Sequence, residues 1–193
     1  MEYREVYQKV FDADKTYNQM RGGFDICTSH LGAVWFLDRH IDLIHSILDV
    51  GSGRGALMEL MRWRFHPSLE PLLSVDCNKF NQSPVPFKQV IISELPEALD
   101  GRHFDYVTCT DVLEHIEPNE TEDALERLSR CGTYAFFAIA TTSHVMLGQE
   151  LHINRRSRTE WLALLQKHFT VLESERFADD KVLTFGLASR NRG

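Results

Sequence analysis

Three glycines fall within five residues, at Gly51, Gly53 and Gly55. An apolar run, Ile47-Leu48-Asp49-Val50, comes before them, and Leu57, Met58, Leu60 and Met61 follow at helical spacing. No other stretch restricts the fold so tightly. A short apolar run closed by glycines reads as a buried strand, and the periodic segment beyond it as a helix. Glycine lets the backbone turn sharply and lets a ligand lie against the main chain. The helix that follows presents unpaired N–H groups at its start. The stretch is therefore a strand–turn–helix whose turn suits close approach.

The same alternation continues downstream. Strands are predicted at 45–50, 72–75 (ending in Asp76), 88–92, 104–109 and 133–140, with helices at 55–65 and 119–130. Asn119 with Glu122 resembles a capping box for the second of these helices. Ser157 and Glu160 form a proper one, ahead of Trp161, Leu162, Leu164, Leu165 and Phe169 at helical spacing, which makes Trp161 a core residue. Two last strands, about 170–177 and 181–189, are joined by Asp179-Asp180 with no helix between them. Strand–helix alternation implies a mainly parallel sheet covered on both faces, and the terminal pair implies an antiparallel hairpin at one edge. Asn78, Asn81, Ser83, Pro84 and Pro86 leave residues 76–88 too broken for a full helix. Upstream, residues 2–13 read as a helix, 14–28 as a polar loop, and 29–40 as a second helix with Leu31, Val34, Trp35 and Leu37 on one face.

Bulk properties narrow the class. The chain has 193 residues, 43% of them hydrophobic, which suits a single domain over 1–193. Residues 1–40 form an N-terminal helical cap in this reading, and 41–193 the core. A net charge of −7 disfavours a nucleic-acid partner, since phosphate binding needs clustered Lys and Arg. The densest basic cluster, Arg155, Arg156 and Arg158, reads as a solvated rim or as a hold for an acidic substrate. The four cysteines, Cys27, Cys77, Cys109 and Cys131, contain no CxxC pair and read as small apolar fillers in a reducing compartment. The N-terminus has no apolar signal core. The longest uncharged run, Cys131 to Gln149, includes Gly132, Thr141, Thr142, Ser143 and His144, so it reads as a strand entering a polar loop and not as a membrane span. The expectation is a cytoplasmic protein; its oligomeric state is not legible.

In open α/β sheets ligands bind beyond the carboxyl ends of the strands, at the switch point of the strand order. Three ligand classes compete for the glycine turn. A P-loop needs Lys-Ser/Thr after its last glycine, and here Ala56-Leu57 follow. A dinucleotide site wants G-x-G-x-x-G, and here the spacing is G-x-G-x-G. The third class is S-adenosylmethionine. Leu48-Asp49-Val50-Gly51-Ser52-Gly53-Arg54-Gly55 resembles the first motif of the class I S-adenosylmethionine-dependent methyltransferases. Phe104 to Ile116, FDYVTCTDVLEHI, resembles the fourth-strand motif of the same family, and Glu150 to Asn154 with Ser157 to Leu165 resembles a segment of some small bacterial members. The resemblance covers about residues 45–189.

That resemblance implies a Rossmann-like three-layer sandwich with a seven-stranded sheet in the order 3-2-1-4-5-7-6, its last strand antiparallel. It implies S-adenosyl-L-methionine as cofactor. Asp49, Gly51, Ser52, Gly53 and Gly55 would surround the amino-acid part, and Asp76, with Cys77 beside it, would receive the ribose hydroxyls. A carboxylate offers two acceptor oxygens to two vicinal hydroxyls, so Asp76 is expected to face ligand and not core. Ser93 or Glu94 would meet the adenine amino group in place of the family's usual Asp, and Thr110 and Asp111 would complete the set. For transfer, a hydroxyl or protonated amine must lose a proton, a task suited to His near neutral pH. His152 and His115 are the candidates, with Asp111 as orienter or alternative base and His30 and His144 behind them. No metal cluster is evident from the spacing. The acceptor is expected to be a small molecule or sugar-containing metabolite, reacting through oxygen or nitrogen, in a pocket built from residues 1–40 and 141–156. The alternatives are a nucleic-acid or protein acceptor, or a cofactor-binding regulator or partner subunit without its own chemistry.

Overall fold

A computed structural model describes residues 5, 6, 8, 9, 28–65, 69–79, 82–174 and 181–190. The chain begins the main body with helix α1 (Thr28–Arg39) and continues through strand β1 (Ile47–Val50), helix α2 (Ala56–Phe65), β2 (Leu72–Asp76) and β3 (Phe87–Gln89). Then come β4 (Phe104–Thr110), α3 (Thr121–Cys131), β5 (Gly132–Ala140), a small hairpin of β6 (Val145–Met146) and β7 (Gln149–Glu150), α4 (Arg158–His168), β8 (Phe169–Ser174) and β9 (Val182–Ser189). Seven strands form one sheet in the order β3-β2-β1-β4-β5-β9-β8. Leaving aside the separate β6–β7 hairpin, this is the expected 3-2-1-4-5-7-6. Strands β1 to β5 pair in parallel, and β9 runs antiparallel to both β5 and β8.

Successive residues of a strand point to opposite faces, and that alternation builds two cores. Leu48, Val107, Phe137 and Ile139 face one side, where Leu125 and Leu128 of α3 and Trp161 and Leu165 of α4 pack on them. Ile47, Tyr106, Phe136 and Ala138 face the other, under Phe36 and Leu37 of α1 and Leu57, Met58 and Met61 of α2. Trp161 is fully buried, as its spacing predicts. All five residues of β2 and all four of β1 are buried, the mark of parallel strands covered on both faces.

Three expectations need correction. The third strand is Phe87–Gln89 instead of 88–92; Ile92–Glu94 leave the sheet as a 3₁₀ turn, since the apolar run Val90-Ile91-Ile92 meets Pro96 before it can extend. Helix α3 starts at Thr121 with no side-chain cap from Asn119; Thr121 Oγ1 instead donates back to the carbonyls of Glu117 and Pro118 at 3.3 and 3.1 Å. Helix α4 does carry the Ser157–Glu160 capping box. The polar loop after β5 holds the β6–β7 hairpin, turned by Leu147 and Gly148, both at positive φ (52° and 78°), as a two-residue hairpin turn prefers. Strand β8 is described as far as Ser174, and Asp179-Asp180 lies outside the described residues, as does Cys27.

Candidate active site

Beyond the carboxyl ends of β1, β2, β4 and β5 the chain gathers nearly every predicted site residue. The glycine turn is pinned to the sheet first: the Gly51 and Ser52 N–H groups both donate to the Val75 carbonyl at 2.9 and 3.1 Å. Two glycines are required for different reasons. Gly51 has φ +74°, and a Cβ there would stand 2.2 Å from Val112 Cγ2, so the turn lies hard against the segment that carries Asp111. Gly53 has φ +51°, with nothing within 4 Å of where a Cβ would be. The backbone at Gly53 is thus open for a ligand to approach, which is the cradle a nucleoside cofactor needs.

Asp76, at the end of β2, is tied to that turn. Gly53 N–H donates to Asp76 Oδ2 at 2.9 Å, and Asn78 N–H donates to Oδ1 at 2.8 Å. The side chain is buried, where the sequence reading expected a carboxylate turned to ligand alone. Each oxygen has one N–H and keeps a second lone pair for a hydroxyl. Cys77 is half-buried, and its carbonyl accepts from Gln89 Nε2 at 2.9 Å. Ser93 and Glu94 are exposed in the 3₁₀ turn beyond β3, where Glu94 Oε2 accepts from the Ile91 N–H at 3.1 Å.

Asp49 lies deeper, 2% exposed, with Thr108 Oγ1 donating to its Oδ1 at 2.7 Å. Burial pushes its pKa up to about 6, against the pull of Thr108 and of His30. His30, on α1, interacts electrostatically with both Asp49 and Asp111. The N-terminal helix therefore overlooks the same crevice. Thr110 is buried at the end of β4, and Asp111 follows it with φ +56°, open to the crevice but ringed by protein, so that burial raises its pKa too.

The histidines form a second cluster beside Asp111. A 3₁₀ turn over Leu113–His115 buries Glu114 and His115. The segment after β7 then lies along it: His115 Nδ1–H donates to the Leu151 carbonyl at 2.9 Å, Asn154 N–H donates to the Glu114 carbonyl at 3.0 Å, and Asn154 Nδ2 donates to the Leu113 carbonyl at 3.0 Å. This sets His152 beside His115, ring centroids 4.8 Å apart, with His144 edge-on at 5.1 Å on the other side of His152. His152 Nδ1–H donates to the Thr142 carbonyl at 2.6 Å. Burial lowers the His115 pKa to about 3, so it stays a neutral imidazole at neutral pH. Burial first, and then the charge of Asp111, push Glu114 up to about 8.

Two residues that stand in the family-like segment Glu150 to Asn154 without an expected role hold this cluster. Glu150 Oε1 accepts from the His144 and His152 N–H groups, both at 2.9 Å, and Oε2 accepts from Ser143 Oγ. Those hydrogen bonds, that of Ser143 foremost, lower the Glu150 pKa to about 2. Asn154 is the other, 1% exposed, with Oδ1 taken by Arg156 Nε at 2.8 Å. Arg156 is thereby structural, bonded also to the Pro118 carbonyl, and Arg158 bonds Ser174; neither is an idle rim cation.

The pattern of the methyltransferase domain family matches residues 8–180. A ubiquinone biosynthesis O-methyltransferase from Chromobacterium violaceum is 31% identical over 112 residues, which is 53% of this chain and 48% of that protein, so the likeness spans about half the relative's length. Among solved structures, the Burkholderia thailandensis 1,6-didemethyltoxoflavin-N1-methyltransferase, with its substrate and S-adenosylhomocysteine bound, superposes with a TM-score of 0.72 at 19% identity, covering 97% of this chain and 88% of that one. The magnesium protoporphyrin IX methyltransferase of Synechocystis PCC 6803, with S-adenosylmethionine bound, superposes with a TM-score of 0.68 at 14% identity and covers 98% of each chain. No helix among the described residues is long and apolar enough to cross a membrane.

Proposed function

The chain belongs to the methyltransferase domain family, and we propose that it moves a methyl group from S-adenosylmethionine to a hydroxyl or amine of a small-molecule acceptor. The observation that carries this is the brace between Gly53 and Asp76: an open stretch of backbone joined to a carboxylate with lone pairs to spare, at the switch point of the sheet. A ribose fits Asp76, and the amino-acid end of the cofactor fits the turn Gly51–Gly55 with Asp49 behind it. Ser93 and Glu94 are the groups on the adenine side.

When bound, the cofactor supplies a methyl already activated on sulfur. The chain's task is to hold the acceptor in line with that methyl, which removes much of the entropic cost of meeting. The acceptor's proton leaves toward the histidine cluster. With Nδ1–H held by Thr142, His152 keeps an Nε2 lone pair suited to accept it, and Asp111 stands beside as orienter or second base. The acceptor's walls are α1, with His30, and the hairpin that exposes Val145 and Leu147 at its tip. That apolar tip favours an acceptor with an apolar part.

Calorimetric titration tests the cofactor: S-adenosylmethionine and its demethylated product bind one site per chain and NAD does not. Labelled methyl transfer into fractionated small-molecule extract tests the reaction. Binding without transfer into any fraction would reduce the chain to a cofactor-binding subunit, and label in macromolecular fractions alone would overturn the acceptor class.

A further inference from the structure

Glu114, His115 and His152 converge for a reason that base chemistry alone does not use. We propose that these three side chains form a binding site for one divalent transition-metal cation of the Zn²⁺ or Co²⁺ type. Each offers one donor atom such that the three atoms lie within 4.8 Å of one another, and all three residues are buried. Metal bonds of about 2.0–2.2 Å hold donors on one tetrahedral ion roughly 3.3–3.6 Å apart, so loading draws the three side chains together by up to about 1.5 Å. No other trio of His, Cys, Asp or Glu donors meets this spacing among the described residues.

Three further observations point the same way. Both imidazoles donate Nδ1–H to a backbone carbonyl, His115 to Leu151 and His152 to Thr142. That outer bond fixes the ring, as it does for ligating histidines generally. Glu114 Oε1 is satisfied by the Ala140 N–H at 3.0 Å, while Oε2 is buried without a hydrogen-bond partner among the described residues. A buried carboxyl oxygen left bare is costly, and a cation beside it removes the cost. Finally, two imidazoles and one carboxylate are a donor set that suits Zn²⁺ and its first-row neighbours and excludes Mg²⁺ and Ca²⁺, which want oxygen alone.

Three protein ligands leave coordination positions open. Asp111 and the crevice lie next to the cluster, so an acceptor hydroxyl could occupy one. A cation there lowers the hydroxyl's pKa, as it does for bound water; with His152 Nε2 on the metal, the proton passes instead to the second base, the Asp111 carboxylate, and His152 serves as ligand and not as base. This second step rests on the proposed methyl transfer; cation binding does not.

The experiment uses the full chain stripped of metal with a chelator and titrated with Co²⁺, read by visible absorption and calorimetry, with S-adenosylmethionine titrated in parallel. One Co²⁺ per chain is expected, displaced by Zn²⁺. Glu114→Gln, which keeps an oxygen for Ala140, and His152→Ala should each weaken binding by more than the roughly 10–100-fold typical of losing an outer-shell partner. His103→Ala, at the opposite end of the sheet, should leave it unchanged. His152→Gln serves if the alanine variant loses its far-ultraviolet signature. Absence of saturable Co²⁺ binding, or binding that survives both substitutions, overturns the cation site and leaves His152 as a bare base. If cofactor binding is intact in that case, the methyltransferase reading stands.

Discussion

The two halves of the crevice are built on different plans. On the β1–β2 side, the groups offered to a ligand are mostly main chain, and they are braced by the end of β2: Gly51 and Ser52 on the Val75 carbonyl, Gly53 on the Asp76 carboxylate. On the β4–β5 side, the groups are side chains, three imidazoles and two carboxyls, held by backbone carbonyls of a segment far along the chain. On the function proposed, the first half answers to a ligand common to a whole family and can be made of backbone and glycine, and the second answers to an acceptor particular to this protein and is made of side chains that can be exchanged.

The comparison is broken or sharpened most forcefully at His152. His152→Ala should lower turnover by about 10²–10⁴-fold, the usual worth of a proton-handling group, while the S-adenosylmethionine dissociation constant stays put. A matching loss of cofactor affinity would mean the halves are not separate. Asp49 gives the next effect, through pH. Its folded pKa of about 6 lies above the ordinary 3.8, so the folded chain holds the proton more tightly than the unfolded one. Its contribution is full below pH 3.8 and is lost as pH rises through 6, an order of 3 kcal/mol in all. In Asp49→Asn, with Thr108 still able to donate, denaturant titrations of the free protein between pH 4 and 7 should show that decline flattened. An unchanged slope would place the proton elsewhere.

Asp76→Ala comes third. It should weaken cofactor binding about 100-fold, by removing charge-assisted hydrogen bonds worth roughly 1.5–3 kcal/mol each. It should also lower thermal stability, because two backbone N–H groups lose their acceptor. Weakened binding with an unmoved melting midpoint would show that the brace is dispensable. The smallest contrast lies within the turn. Gly51→Ala and Gly53→Ala both place alanine at positive φ, costing about 1–2 kcal/mol each. Only Gly51→Ala also drives a methyl into Val112, which should add about 1–3 kcal/mol. Equal losses in chemical denaturation would contradict the packing described.

Legibility follows the same divide. The turn, Asp49, Asp76 and the terminal hairpin could be read because each depends on residues adjacent in sequence or on the alternation of strands and helices, whereas the order of the sheet came only with the family resemblance. Asp111, Glu114 and His115 were legible as a motif, but not the burial of Glu114 and His115, along which Leu151–Asn154 folds back. The cluster of Glu114 with His115 and His152 was invisible to spacing, since only the fold brings residue 152 to 114. Glu150 stands in sequence at the head of a family-like segment with no role of its own; that role comes from a hairpin signalled by nothing stronger than Leu147-Gly148. Strand β3 was overextended because a run of apolar residues does not reveal which of them leave the sheet.

The hairpin closes upon itself. The N–H and hydroxyl groups that hold it, on Ser143, His144, Leu151 and His152, find their acceptors on Glu150, His144 and Thr142. Such a closed unit is an exchangeable cassette. Its tip, Val145 to Gly148, can be lengthened, shortened or recoloured by mutation while Glu150 keeps the stem shut and the cofactor half takes no notice. On the function proposed, a lineage of enzymes, or an engineer, could change what is methylated there without renegotiating what does the methylating.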